Sequence, residues 1–258
     1  MDIRKSTFIG VLHLKPLPGS PRWGGSMLEI IDAACRDAEA YARGGVDAVI
    51  LENFEDIPFA RGAVPPETVA AMAAAACEVG RALGKLPFGF NVLRNDARSA
   101  LGLCVACGGS FMRVNVHTGV MLTDQGLIQG EAYTTLRERA RLVSDAKILA
   151  DVHVKHAVPL GNLTIEDAAR DTLHRGLADA LIVTGTGTGL PTRLEDVKKV
   201  RQACPEARIL IGSGVTAESA PALLEYADGV IVGTSLKVDG KVQNPVDEKR
   251  VRAMRDAF

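Results

Sequence analysis

The sequence has no marked excess of charge of either sign, because its 30 lysines and arginines nearly balance its 31 aspartates and glutamates. Proteins that bind nucleic acid or an anionic membrane through electrostatics carry a basic excess or a basic patch. The charge balance therefore gives no case for nucleic acid, and we expect the partner to be a small molecule.

The sequence also lacks long apolar runs and paired cysteine motifs. No run reaches the roughly 18 apolar residues that cross a bilayer, and the opening MDIRKSTFIG lacks the apolar block of a signal peptide. Five cysteines, an odd number, suit reduced thiols packed as small hydrophobic side chains. Cys104-x-x-Cys107 has no second pair to complete a metal cage. These absences predict a cytoplasmic protein without a transmembrane segment.

What the sequence does contain is a regular alternation of short apolar runs with segments of helix length. Hydrophobic residues make up 47% of the chain, enough for a large core. Such alternation predicts a parallel sheet, and eight strands are accommodated most simply in a closed barrel. We therefore predict an α/β fold, a single (β/α)8 TIM barrel over residues 1–258. The predicted strands are 8–14, 46–51, 87–92, 111–116, 148–154, 180–183, 209–211 and 229–232.

Capping patterns and loops complete the outline. Ser26-x-x-Glu29, Thr164-x-x-Asp167 and Thr192-x-x-Glu195 each predict the start of a helix. Residues 117–130 are predicted as a long loop. The G-T-G-T-G run at 185–189 lacks the spacing of a dinucleotide fingerprint. It is interpreted either as a mobile loop or as a donor of N–H groups to an anionic ligand.

Each of the last two predicted strands ends in a cluster of small residues. Glycine and serine leave backbone N–H groups uncovered, and two such clusters on neighbouring strands are able to hold one phosphate. In (β/α)8 barrels the loops after strands seven and eight frequently form this site. The alternative is that the glycines only permit tight turns. The candidate phosphate-binding residues are Gly212, Ser213, Gly214, Gly233, Thr234 and Ser235.

Polar residues also cluster at the other strand ends, where barrel enzymes place their catalytic groups. Side chains alternate along a strand, so every second residue shares a face. Charges that point into a barrel are costly unless paired, and we expect them to contact one another or a ligand. The two sets predicted to point inward are Arg113, Asn115 and His117 on one strand and Asp151, His153 and Lys155 on the next.

Asp151 and Lys155 are the first candidates for acid/base catalysis. Partial burial lowers a lysine pKa toward values that serve proton transfer or Schiff-base formation. The alternative is an ion pair that only fills a polar layer of the barrel. Glu52 is the second candidate carboxylate, either a base or a partner of Arg113 or Lys155.

The remaining candidates have supporting roles. His13 and His153 are candidate acids or hydrogen-bond donors, or else histidines satisfied in the core. The residues expected to bind substrate are Asn91, Arg113, Asn115 and Thr184.

No metal or cofactor is predicted. Imidazole and carboxylate ligands are present at the strand ends, but no H-x-H or H-E-x-x-H cluster gathers them. The residues weighed for such a site are His13, Glu52, Asp151, His153 and His156.

Several motifs occur together along essentially the whole chain. They are H-L-K-P-L-P-G-S-P at 13–21, D-V-H-V-K-H at 151–156, Thr184-Gly185, G-L-P-T at 189–192, and the clusters at 212–215 and 233–235. Together they resemble the BtpA/SgcQ family. The resemblance implies a barrel of the ribulose-phosphate-binding kind and supports the anion site. The family name implies a link to photosystem I biogenesis, and the resemblance implies no catalytic assignment.

Three functional hypotheses follow. The first is a lyase or isomerase that acts on a small phosphorylated metabolite, most plausibly a sugar phosphate, since proton movement needs only positioned acids and bases. The second is a non-catalytic assembly or regulatory protein with a large exposed apolar patch. The third is a metal-dependent hydrolase. A homo-oligomer is also expected.

Overall fold

The computed structural model describes residues 1–185 and 187–258, and this part of the chain contains eleven strands. Thr186, within the glycine-threonine run, lies outside the described residues. In chain order the strands are β1 (Thr7–His13), β2 (Ala48–Glu52), β3 (Phe88–Asn91), β4 (Phe111–Val114), β5 (Val120–Thr123), β6 (Gly126–Gln129), β7 (Lys147–Val152), β8 (Ala157–Pro159), β9 (Ala180–Val183), β10 (Ile209–Ile211) and β11 (Gly229–Val232).

Eight of these strands form a closed parallel barrel, hydrogen-bonded in the order β1–β11–β10–β9–β7–β4–β3–β2. The ring closes where β1 pairs with β11, with Thr7 opposite Gly229. Because all eight strands run in the same direction, their carboxyl ends meet at one mouth. The structure thus confirms the predicted (β/α)8 barrel.

Successive residues of the barrel strands are buried against two different apolar layers. Ile9 and Ile182 belong to the cluster inside the barrel, whereas Phe8 and Leu181 pack in the cluster between the barrel and its helices. Burial on both faces explains why the strands read as continuous apolar runs rather than alternating ones.

Eight α-helices are found in the described part of the chain. No helix in these residues is long and apolar enough to cross a membrane. The helices are α1 (Met27–Gly44), α2 (Pro66–Leu83), α3 (Ala97–Cys107), α4 (Ala132–Arg141), α5 (Ile165–Arg170), α6 (Leu194–Ala203), α7 (Ala220–Leu224) and α8 (Glu248–Arg255).

Two of the three predicted capping patterns are confirmed. The side chains of Ser26 and Thr164 each accept a hydrogen bond from the backbone N–H three residues further on. The third is wrong, because α6 begins at Leu194 with no side-chain cap. The Thr192 hydroxyl instead donates to the carbonyl oxygen of Ser213 at 3.0 Å, which joins the loop after β9 to the loop after β10.

The predicted loop at residues 117–130 is also wrong. β5 and β6 form an antiparallel hairpin there, and β8 pairs with the other edge of β5. Met121 and Ile128 point toward the barrel and are buried with Val116 and Val154. A small second sheet therefore lies beside the mouth of the barrel, held by its own apolar contacts.

Candidate active site

A cavity of about 300 Å³ opens at the carboxyl ends of the barrel strands. Both predicted phosphate clusters line it, from the loops after β10 and β11. Three of the candidate acid/base side chains, those of His13, Glu52 and Lys155, line the same cavity. The barrel thus brings the two halves of the predicted site into one space.

Two glycines of the phosphate clusters have conformations or neighbours that exclude a larger residue. Gly214 has φ +66°, and a Cβ there would overlap the backbone of Leu190. A Cβ on Gly233 would lie 2.9 Å from Cε1 of His13. The glycines therefore allow close packing at the mouth in addition to uncovering the backbone.

The serines of the two clusters are used to hold the loops in place. The Ser213 hydroxyl oxygen accepts a hydrogen bond from the Gly185 N–H at 2.7 Å. The Ser235 hydroxyl donates to the carbonyl oxygen of Val215 at 2.7 Å. These bonds fix the loops after β9, β10 and β11 to one another.

The segment that follows β11 is anchored by a buried ion pair and supplies a further cation. Lys237 Nζ lies 2.7 Å from Asp37 on α1, whose second oxygen accepts from the Val246 N–H at 2.8 Å. Arg250, in the first turn of α8, lines the cavity beside the phosphate clusters. The sequence analysis missed Arg250, since no motif marks an arginine on the last helix.

Arg113 is the centre of a buried polar network. Its guanidinium contacts both oxygens of Asp151 at 3.1 Å and lies 3.5 Å from Glu52. The Asn115 amide donates to Asp151 at 2.8 Å, and Asn91 donates to Asn115 at 3.0 Å. Asp151 thus pairs with Arg113, and it forms no salt bridge with Lys155 within 4.0 Å in the described structure.

Glu52 and His13 each have a buried polar atom without a hydrogen bond. Within the described residues, Glu52 Oε1 and His13 Nδ1 have no hydrogen-bond partner, although Glu52 Oε1 is the atom that lies 3.5 Å from the Arg113 guanidinium. His13 Nε2 lies 3.9 Å from the other oxygen of Glu52. Both side chains are therefore available to a ligand in the cavity that they line.

Burial shifts the pKa values of His13, Glu52 and Lys155 away from the charged form. It lowers the pKa of Lys155 to about 8, with the positive charge of Arg113 acting in the same direction. Burial raises the pKa of Glu52 even though Arg113 opposes the change. Burial, aided by Lys237 and Lys155, lowers the pKa of His13 well below its usual value. The site thus combines a carboxyl group of raised pKa with an imidazole and an amine of lowered pKa.

His117, His153 and Thr184, which were predicted at the rim, lie away from this cavity. β7 ends at Val152, two residues earlier than predicted, and His153 has a left-handed backbone with φ +51°. His153 and Thr184 line a separate outer groove, and His117 Nε2 contacts the Gly176 carbonyl oxygen at 2.8 Å. The prediction that every second residue points into one site is therefore wrong for His117 and His153, whereas Lys155, also beyond the end of β7, does line the cavity.

A second chamber of about 550 Å³ adjoins the first cavity. Asn91 and Asn115 line it, as does Asp124 at the tip of the β5–β6 hairpin. The other residues that the sequence analysis missed here are Phe54, Ile57, Phe59, Leu93 and Arg94. They belong to loops after β2 and β3, where no periodic pattern identifies an inward side chain.

The residues weighed as metal ligands are not gathered in the structure. Among residues 1–185 and 187–258, no group of three or more histidine, cysteine, aspartate or glutamate side chains is placed to hold a metal ion.

The closed barrel and the cavity at its mouth define the class of protein, a TIM barrel. Three solved barrels illustrate the similarity. Thiamine phosphate pyrophosphorylase from Pyrococcus furiosus superposes with a TM-score of 0.60 at 13% identity, covering 99% of this chain and 97% of that one. Phosphoribosyl anthranilate isomerase from Thermus thermophilus superposes with a TM-score of 0.60 at 12% identity, covering 97% of each chain. Tryptophan synthase from M. tuberculosis superposes with a TM-score of 0.62 at 16% identity, covering 99% of this chain and 93% of that one.

Within that class, the chain belongs to the BtpA family, whose model matches residues 4–258. The photosystem I biogenesis protein BtpA of Synechocystis sp. is 48% identical over 250 residues, which cover 97% of this chain and 87% of that protein. The sgc region protein SgcQ of Escherichia coli is 35% identical over 248 residues, which cover 94% of this chain and 90% of that protein. The predicted resemblance to the BtpA/SgcQ family is confirmed.

Proposed function

We propose that the protein is an enzyme that acts on a small phosphorylated metabolite by lyase or isomerase chemistry without a cofactor. One observation carries the proposal: the two phosphate-type clusters and three groups with shifted pKa values, His13, Glu52 and Lys155, line the same cavity. Barrels of similar fold include proteins named for phosphate-containing compounds, such as thiamine phosphate pyrophosphorylase.

The phosphate occupies the end of the cavity formed by the loops after β10 and β11. The clusters that begin at Gly212 and Gly233 present bare backbone there, and Arg250 adds a cation that matches phosphate geometry. The reacting carbons then lie toward Glu52 and Lys155.

The chemistry assigned to the site is proton transfer. Glu52 takes a proton from a substrate carbon, because a raised pKa makes its carboxylate a stronger base. The electron pair moves onto the neighbouring carbonyl oxygen, where the Lys155 ammonium and the neutral His13 ring stabilise the negative charge by hydrogen bonds. Asp151 holds Arg113 in place and has a positioning role. An alternative role for Lys155 is Schiff-base formation, which its lowered pKa also favours.

Inorganic phosphate provides the test of the anion site. At ten times its Kd, phosphate stabilises the folded state by about 1.4 kcal/mol, or roughly 3–6 °C in Tm for a chain of this size. We expect Arg250→Ala to reduce this rise, whereas Arg252→Ala, on the exposed side of the same helix, leaves it unchanged. No rise in Tm at millimolar phosphate would contradict the proposal.

Borohydride reduction in the presence of aldose or ketose phosphates tests the alternative role of Lys155. A mass increase at Lys155 supports a covalent intermediate. If no adduct forms at this residue, its role is electrostatic.

A second candidate function is supported by the outer face of the small sheet. Leu122 is directly paired with Leu127 and with Val158, and all three side chains are exposed, as is the nearby Leu160. A contiguous exposed apolar face of this kind is typical of a protein-binding surface. It supports a role in assembling another protein, the class of role that the name of the Synechocystis relative describes for that protein.

The two candidates are separable by mutation. Leu122→Lys together with Leu127→Lys is expected to abolish binding of a protein partner while the rise in Tm with phosphate is retained. The outcome that contradicts the assembly role is a partner complex that survives this double substitution.

A further inference from the structure

The two cavities at the mouth of the barrel form one continuous binding space. They share the residues Glu52, Arg113, Lys155 and Thr188. The first holds about 300 Å³ and the second about 550 Å³, and pockets for drug-sized ligands have about 300–1,000 Å³. A ligand with its phosphate in the first cavity therefore has room to extend past the reacting groups into the second.

The second chamber has a large apolar component in its lining. Phe54, Ile57, Phe59 and Leu93 all contribute to it. The Phe54 ring lies 4.5 Å from the His13 ring, centroid to centroid, at the junction of the two spaces. Sugar hydroxyls placed against these side chains would lose hydrogen bonds to water without replacement. The faces of a flat ring, in contrast, gain from such contacts.

Charged groups of both signs accompany the apolar side chains. The Arg94 guanidinium is held by a hydrogen bond of 2.6 Å to the Lys155 carbonyl oxygen, and its burial is nearly complete. Asp124 lines the chamber from the tip of the β5–β6 hairpin. Arginine offers only donors and aspartate only acceptors. The edge of a heteroaromatic ring carries both kinds of group in its plane and is able to use both residues.

We propose that the ligand is a sugar phosphate that has a carbonyl group in its sugar and carries a heteroaromatic ring. Its phosphate occupies the cavity beside Gly212 and Gly233, its sugar lies at Glu52 and Lys155, and its ring occupies the second chamber. Nucleoside monophosphates, whose closed sugar has no carbonyl, serve as unreactive probes with the same three parts. This inference rests on the proposed function, because it takes the phosphate end of the ligand from that proposal.

Calorimetric titration of the full chain with a graded set of probes tests the inference. The probes are inorganic phosphate, ribose 5-phosphate, the four common ribonucleoside 5′-monophosphates and the four matching nucleosides. We expect at least one nucleoside monophosphate to bind ten times more tightly than ribose 5-phosphate, and more tightly than its own nucleoside.

A pair of matched substitutions locates the ring. Ile57→Asp places a charge in the second chamber, and Val105→Asp places one on the outer surface of α3 at nearly the same exposure, 46% against 48%. Ile57→Asp is expected to weaken binding of the tightest-binding nucleoside monophosphate at least tenfold and to change the affinity for ribose 5-phosphate by less than twofold. Val105→Asp leaves both unchanged, which controls for a general effect on folding.

The outcomes separate this inference from the proposed function. If ribose 5-phosphate binds as tightly as every nucleoside monophosphate, the proposed ring-binding chamber is wrong, whereas the phosphate site of the proposed function is retained. If nucleosides bind as tightly as their monophosphates, the phosphate site of the proposed function is wrong. If none of the phosphate probes binds, both the proposed function and this inference are overturned. Equal losses in Ile57→Asp and Val105→Asp would also overturn the placement of the ring.

Discussion

At the scale of single residues, the pairing of charges decides which groups are free to react. The sequence analysis joined Asp151 to Lys155, but Arg113 takes both oxygens of Asp151 and Asn115 adds a third contact. A carboxylate with all of these partners is held in place and is poorly suited to accept a substrate proton. Glu52 makes only a longer contact of 3.5 Å to the same guanidinium, and its Oε1 has no hydrogen bond in the described structure, which makes Glu52 the better candidate base.

Substitution of Asp151 tests this assignment through stability. Asp151→Asn leaves the buried Arg113 without its principal counter-charge, and we expect the free energy of unfolding to fall by about 3–5 kcal/mol. Urea denaturation measures the change.

Two further variants serve as controls for Asp151→Asn. Asp171→Asn, in an exposed pair with Arg175, is expected to cost at most about 1 kcal/mol. In the double variant Asp151→Asn with Arg113→Met, the loss should be smaller than the sum of the single losses. Full additivity would contradict the pairing.

Lys155 leads to a prediction for the pH dependence of stability. Its pKa is about 8 in the folded protein, below the 10.5 of a free lysine. Folding is therefore opposed below pH 8, where the buried ammonium is present, and this penalty disappears as the pH rises from 8 to 10.5. We expect Lys155→Met to be more stable than the wild type by roughly 2–3 kcal/mol at neutral pH, with the gain shrinking across that window.

Urea denaturation at pH values below and within this window measures the effect. Lys199→Met, at an exposed position on α6, should show no such change with pH. A gain that stays constant or grows as the pH rises would contradict the shifted pKa.

At the scale of elements, the loops after β10 and β11 were identified by their glycines, and their structure depends on contacts that a pattern does not show. Gly214 combines a positive φ with close approach to Leu190 in the preceding loop. Thr192 and Ser213 tie the same loops together. The phosphate loops are thus parts of one packed unit rather than independent turns.

Alanine substitutions distinguish glycines that are required from those that are not. Gly214→Ala forces a side chain into the left-handed region and against Leu190, and should cost about 1–3 kcal/mol and weaken phosphate binding. Gly102→Ala, in α3 with no atom within 4 Å of the new Cβ, should stabilise the protein by about 0.5–1 kcal/mol. Thermal unfolding with and without phosphate measures both effects. If Gly214→Ala lowers stability but leaves phosphate binding unchanged, Gly214 is only a turn residue.

At the scale of the whole molecule, the barrel gathers the two phosphate clusters with His13, Glu52 and Lys155 at one mouth, and the small sheet adds an exposed apolar face beside it. The predicted homo-oligomer remains a prediction. Sedimentation equilibrium at micromolar concentration measures the mass in solution, and we expect more than one copy per particle. The mass of a single chain would contradict the prediction, whereas an oligomer that persists in Leu122→Lys would have its interface elsewhere.

The sequence by itself determined the barrel, because buried parallel strands require apolar runs and each run is followed by a helix-length segment. It also located the two glycine clusters, Glu52 and His13 at strand ends, where local pattern and position in the chain agree, and Lys155 three residues beyond the end of β7. The hairpin of β5 and β6 was missed, although apolar residues on both sides of a two-residue turn at Asp124 and Gln125 were a usable signal.

Only the tertiary structure decided which charges pair and which side chains share a cavity. Strand alternation predicts the direction of a side chain only while the strand continues, and β7 ends at Val152, so His153 lies elsewhere. Arg94, Arg250 and the apolar residues of the second chamber come from loops and a helix far apart in the chain. Their proximity depends on closure of the barrel, which no local pattern records, because contacts between distant segments are set by packing rather than by sequence spacing.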